Sequence, residues 1–238
     1  MPDLIAQVCA IGDRLGFPFI AAQSDIGDPE PMMDDKGRPY AETSFRWFDP
    51  DHHYWQDRKL ALHVPFLRAA RLIAEPFYYS DGALNSWRPT HLLDSIDCKY
   101  LVEKGEIEEA IIAPVHLPRG QVGAIVWCTQ TRVGVAQLFE REASAIQAAA
   151  TRLIATHTEA RARPRLPLAP QSLTRREVQC LRWAAVGKTD SEIGTILSLS
   201  VSTIRFHLRN AGAKLNATGR AQAIQIAAGL GYIGGRSG

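Results

Sequence analysis

Cysteine is scarce and unpatterned in this chain: the only four are Cys9, Cys98, Cys128 and Cys180, and no two of them form a C-x-x-C pair. The expectation is free thiols in a reducing cytoplasm, with neither a disulfide framework nor a zinc site. No apolar run reaches 18 residues, and no basic leader precedes an apolar region, so neither a membrane span nor secretion is expected. The motifs G-x-S-x-G, G-x-x-x-x-G-K-[ST], G-x-G-x-x-G and H-E-x-x-H are all missing. His52, His53 and His63 have no nucleophile or metal-ligand spacing beside them, which argues against an enzyme. The acidic stretch Asp25 to Gly37 lacks the ligand spacing of a calcium loop and reads as solvated. No metal or cofactor is expected, and no internal repeat is visible.

What is present is enough for two domains. The 238 residues are 46% hydrophobic and 22% charged, as in an ordinary globular chain. Between residues 160 and 172, ARARPRLPLAPQS carries three arginines and three prolines without helical periodicity, as an extended linker would. This divides the chain into an N-terminal domain (1–159) and a C-terminal domain (173–238). In the first, EEAIIAPVHLP and QVGAIVWCTQT are apolar, β-branched runs around Arg119 and Gly120, which predicts a β-hairpin. Phe19 to Ala22 and Phe77 to Ser80 are weaker strand candidates. Helices are predicted near Asp3 to Leu15, His53 to Ala61, Pro65 to Ala74 and Gln137 to Thr158, the last with Leu138, Ile146, Leu153 and Ile154 on its apolar side. The expected class is α+β: an α/β/α sandwich around an antiparallel sheet, followed by an all-α four-helix domain.

The C-terminal domain carries the sharper signals. Thr174 with Glu177, and Thr189 with Glu192, have the spacing of two capping boxes. Val178, Leu181 and Ala185 fall on one face of the first helix, which Gly187 stops; Ile193, Ile196 and Leu197 make a stripe on the second. Ser200 is the expected N-cap of a third helix whose buried side is Val201, Ile204, Leu208, Ala211 and Leu215. Its free side brings together Ser202, Arg205 and Arg209. Guanidinium groups can bond bidentately to guanine edges in a major groove, while Ser202, Thr203 and the helix start can hold phosphate. A solvated basic face is the alternative, and the capped three-helix context favours the reader. Charge agrees. Nine of the 27 basic residues but three of the 25 acidic ones lie from Gln171 onward, so this part is +6 and the remainder −4.

This segment resembles the helix-turn-helix domain of the LuxR family, found in quorum-sensing regulators and in response regulators of the NarL and FixJ kind. The match rests on Leu173, Thr174, Arg176, Glu177, Leu181, Gly187, Lys188, Glu192, Ile193, Ile196, Leu197, Ser200, Thr203, His207, Asn210, Lys214, Leu215, Asn216 and Arg220, through about 60 residues without a gap. The resemblance implies a four-helix bundle whose third helix reads double-stranded DNA, with Lys188, Thr189, Ser202, Thr203, Arg205, Arg209 and Lys214 as contacts. A fourth helix, about Thr218 to Gly229, would help two subunits pair through Ile224, Ala227 and Ala228, residues that packing within one subunit explains equally well.

The N-terminal domain resembles the autoinducer-binding domain of quorum-sensing regulators, which implies a homodimer and a pocket for an acyl-homoserine lactone. The pocket residues match poorly. In ALHVPFLRAA, His63 stands where the family has an aspartate and Val64 where it has a proline. Tyr54 fits a pocket tyrosine, Pro50 falls at the key tryptophan, and Trp47 or Trp55 replaces it only with a shift in register. Tyr79 replaces a second tryptophan, and Glu109 or Ala110 stands near a glycine. The candidate ligand contacts are therefore Trp47, Tyr54, His63 and Tyr79, each of which, like Trp127, also reads as an ordinary core or surface residue. Three options stay open: an altered lactone site, another small molecule, or no ligand. A response regulator with a degenerate receiver domain is the rival, but the alternating β-α pattern it needs is not found. A small-molecule enzyme fused to a DNA-binding module is a more distant rival. The expectation is a cytoplasmic transcription regulator.

Overall fold

The computed structural model describes residues 1–48, 63–161 and 172–234. The chain forms two compact units, one comprising Met1–Leu117 and Gln121–Ala162, the other Pro118–Gly120 and Arg163–Gly238. Among the described residues no helix is long and apolar enough to cross a membrane.

The first unit is built on a five-stranded, wholly antiparallel sheet in the order β1-β5-β4-β2-β3. Its strands are β1 (Phe19–Gln23), β2 (Phe77–Ser80), β3 (Ala83–Asn85), β4 (Glu109–His116) and β5 (Val122–Thr129). β4 and β5 are the hairpin expected from the two apolar runs, paired from Glu109 opposite Thr129 to His116 opposite Val122. Seven consecutive residues of β4 are buried, because both faces of this strand are covered. That is why the run reads as continuously apolar instead of alternating.

Strand periodicity sends alternate side chains into two cores. On one face, Ile111, Ala113, Ile125 and Trp127 pack under helices α1 (Pro2–Leu15) and α6 (Val135–Arg161). Trp127 donates its indole N–H to the Val8 carbonyl at 3.0 Å. Gly123 lets α6 and the end of β1 close in, since a Cβ there would lie 2.8 Å from Ile154 and 2.9 Å from the Gln23 carbonyl. On the other face, Phe77, Tyr79, Ala110, Ile112, Val126 and Cys128 meet α3 (Pro65–Leu72), α4 (His91–Asp94) and α5 (Lys99–Lys104). Helices thus cover both faces, as expected. The short α2 (Tyr40–Thr43), α4, α5 and β3 are not expected from the sequence, being too short to carry a period. The helix expected at His53–Ala61 lies outside the described residues, as do residues 162–171 of the expected linker. Ala160 and Arg161, also assigned to that linker, continue α6.

The second unit holds α7 (Arg175–Ala185), α8 (Asp190–Leu197), α9 (Val201–Lys214) and α10 (Arg220–Gly229). Its core differs in detail from the expected stripes. In α7 the buried residues are Glu177, Cys180, Leu181 and Ala184, and Ala185 is exposed, because the buried stripe follows the 3.6-residue period back to the capping glutamate. In α8 Ile193 is buried but Ile196 is 42% exposed: this two-turn helix offers only a narrow inward face, which Ile193 and Gly194 occupy. In α10 Ala223 and Ala227 are buried and Ala228 is exposed.

Glu109 joins the sheet to α6. This buried carboxylate accepts hydrogen bonds from the Val133 amide at 2.7 Å and the Val135 amide at 3.2 Å, closing the start of the 27-residue helix. Glu109→Ala leaves both amides without their acceptor and is expected to cost the first unit about 2–4 kcal/mol. Glu109→Gln, which keeps a carbonyl oxygen, should lose less. Urea unfolding followed by tryptophan fluorescence measures both, and equal stability of Glu109→Ala and the parent would refute the assignment.

Candidate nucleic-acid interface

Each of the first three helices of the second unit starts on a side-chain cap. Thr174 accepts from the Glu177 amide while Glu177 accepts from the Thr174 amide. Thr189 and Glu192 repeat this reciprocal box at α8. The Ser200 hydroxyl accepts from the Thr203 amide at 3.1 Å and lies 2.8 and 2.7 Å from the hydroxyls of Ser202 and Thr203. The α8–α9 turn is tight. Ser198 adopts φ 55, and a Cβ on Gly194 would sit 2.7 Å from the Leu199 carbonyl oxygen, so α9 leaves α8 at an angle that only glycine permits.

That turn and the buried Ile204 and Ala211 fix which way α9 faces. Ser202, Arg205 and Arg209 are exposed on one side of it, as the spacing predicts. Phe206, one residue after Arg205, is 50% exposed on the same side. It went unnoticed in the sequence because an aromatic within an apolar period reads as core, although its place four residues after Ser202 already set it on the free face. Thr203 is half-buried and tied to its cap.

The remaining candidates divide. Lys188 and Thr189 lie at the start of α8, in an open cleft shared with Asp190, Arg205 and Arg220. Lys188 pairs with Glu192 at 3.0 Å, and the Thr189 hydroxyl bonds the same carboxylate at 2.9 Å. Lys214, which the sequence groups with the DNA contacts, is tied into the unit's own framework. Its half-buried ammonium donates to Glu177, itself 3% exposed, at 2.9 Å, and to the Ser172 carbonyl at 3.4 Å. The buried Glu177 carboxylate is compensated by the Thr174 amide and by the Lys214 ammonium. Burial alone would raise the Glu177 carboxyl; the Thr174 amide, the Lys214 ammonium and the Thr174 hydroxyl outweigh that and hold it below the usual carboxylate range.

In the first unit, Tyr79 is buried with its ring 5.6 Å from Phe66, and burial pushes its hydroxyl above the usual range. Trp47 packs half-buried beside Phe48, their rings 4.4 Å apart. Tyr79 belongs to the second-face core and Trp47 borders it. His63 does not join them: it is exposed, just ahead of α3. Tyr54, together with Pro50 and Trp55, lies outside the described residues.

Residues 171–227 match the family model described as bacterial regulatory proteins, luxR family. The C-terminal unit is a LuxR-family helix-turn-helix domain. Over 61 residues it is 57% identical to the transcriptional activator protein VanR of Vibrio anguillarum, a stretch that is 26% of this chain and 25% of that protein. Over 55 residues it is 51% identical to the transcriptional activator protein LuxR of Aliivibrio fischeri, covering 23% of this chain and 22% of that one. The chain thus spans about a quarter of the length of the curated relatives it matches. A crystal structure of Escherichia coli SdiA aligns over 98% of this chain and 92% of its own, at 19% identity and a TM-score of 0.47.

The LuxR-family domain carries a pH signature. The Thr189 amide, the Lys188 ammonium and the Thr189 hydroxyl pull the Glu192 carboxyl from 4.5 to about 2. A carboxyl whose folded value lies below its unfolded one stabilises the fold above the unfolded value, and this contribution is lost as pH falls toward the folded value. The domain's melting temperature should therefore drop between about pH 5 and pH 2. Glu192→Gln should flatten that slope, measured by calorimetry across the range. An unchanged slope would mean that the second capping box contributes nothing in solution.

Proposed function

We propose that this chain is a homodimeric transcription regulator of the LuxR quorum-sensing type that binds an inverted-repeat DNA site. The observation that carries this reading is the exposed Ser202, Arg205 and Arg209 face of α9, held outward by a capped and closely packed turn within the LuxR-family domain. Arg205 and Arg209 contact base edges, Ser202 and Thr203 hold phosphate at the start of α9, and Lys188 and Thr189 hold it at the start of α8. Lys214 is left out, because its ammonium is committed to Glu177. The +6 charge from Gln171 onward supplies the sequence-independent part of the affinity.

Two-fold symmetry requires two α9 helices in successive major grooves, with half-site centres about 10 bp apart. The long α6 pairs the first units, and α10 pairs the readers. Footprinting titrations on a duplex enriched from a random library give the test. Arg209→Ala should lose about 1–3 kcal/mol at one base position, whereas Lys188→Ala should weaken all duplexes alike and lower the salt slope by about one. Arg209→Ala binding the enriched duplex as tightly as the parent would place the reading face elsewhere.

The signal is proposed to be something other than a common acyl-homoserine lactone bound in the usual way. His63 brings no fixed negative charge to accept an amide hydrogen bond and stands exposed. Protein expressed in a host that makes no lactones should be soluble, and its melting temperature should not rise with a lactone series. Insoluble protein rescued by a long-chain lactone would reverse this conclusion.

A further inference from the structure

Asp190 is the first residue of α8 and the meeting point of two arginines from two other helices. Its Oδ1 accepts from Nη1 of Arg220 at 2.5 Å, and Nη2 of the same guanidinium donates to the Lys188 carbonyl at 2.5 Å. The carboxylate is thus fixed from two sides: by the capped backbone of α8 and by an arginine from the first turn of α10. Its other oxygen, Oδ2, accepts from Nε of Arg205 at 3.3 Å. Arg205 is otherwise open, its side chain 72% exposed.

We propose that Asp190 is a positioning residue for base reading: it holds Arg205 at Nε and so presents the two terminal nitrogens of that guanidinium, end-on, to a guanine. The guanidinium is planar, with five donors in a fixed fork, so an acceptor at Nε sets the plane and leaves Nη1 and Nη2 as the edge that meets O6 and N7. An exposed ion pair of this kind adds little to folding. Its effect lies in what Arg205 loses on binding, since a side chain already held in one geometry gives up less freedom when it meets its base. The same carboxylate is a negative charge in a cleft that faces phosphate, and it weakens binding to any DNA on which Arg205 finds no guanine. Asp190 therefore trades general affinity for discrimination. This inference rests on the DNA-binding reading above.

The two effects have opposite signs, which makes the test sharp. The full-length parent is used to enrich a duplex from a random library, and affinities are then measured for that duplex, for versions with each guanine changed to adenine, and for a scrambled duplex. At the guanine read by Arg205, Asp190→Asn should lower the parent's discrimination about fivefold while binding the scrambled duplex about threefold more tightly. In an Arg205→Ala background the same substitution should change discrimination no further. Arg205→Lys, which keeps the charge but has no fork, should lose that discrimination. A drop caused by Asp190→Asn that persists without Arg205 would mean that Asp190 acts only through Arg220 and the framework, and would overturn the proposal. So would undiminished discrimination in Asp190→Asn or in Arg205→Lys. A parent that enriches no duplex overturns the DNA-binding reading and this inference together; one that enriches a duplex which Asp190→Asn discriminates as well as the parent does overturns this inference alone.

Discussion

The C-terminal unit depends on satisfying the free amides at the starts of its short helices. A helix of 8 or 11 residues is marginal on its own, and its first amides have no partner within it. Here Thr174, Thr189 and Ser200 each close a start, and Glu177 and Glu192 return the bond to two of them. Glu177 also takes the Lys214 ammonium, so one buried carboxylate links the start of α7 to the end of α9. With the helix starts fixed, a small apolar core around Leu181, Ile193, Ile204 and Ala211 suffices to set the direction of α9. The basic face is a product of that framework.

This logic made the C-terminal unit legible from its residues. A cap three residues ahead of a glutamate is a local signal, and so are a glycine stop and an apolar period. What was not legible depends on contacts distant in sequence. Ile196 fits the apolar period of α8 and is nonetheless exposed, because among the described residues no helix covers that side. Lys214 looks like one more cation in a basic domain until Glu177, 37 residues earlier, is found beside it. Asp190 and Arg220 are 30 residues apart, and nothing local reveals that they meet.

The first unit was legible as a sheet with helices on both faces and much less so as a site. The β4–β5 hairpin announced itself by two long β-branched runs, and α6 by its apolar stripe. The role of Glu109 did not: in the sequence it sits near a family glycine, and in the fold it closes the start of α6. His63, aligned in the sequence with a ligand contact, is exposed, which no local feature of ALHVPFLRAA foretells. Tyr79 lies in the second-face core and Trp47 borders it, as aromatic rings do in any core of this kind.

Gly194 sets a limit on how the C-terminal unit can change. Because the Leu199 carbonyl lies where any β-carbon would go, the angle between α8 and α9 has no series of side chains through which to drift in small steps. Phe206 and Arg209 are exposed on the face of α9 and lie away from that turn, whereas Ser202 meets the Ser200 cap and Arg205 meets Asp190. The exposed side chains of α9 are therefore exchangeable while the direction of the helix is locked, and change on this face is confined to a fixed frame.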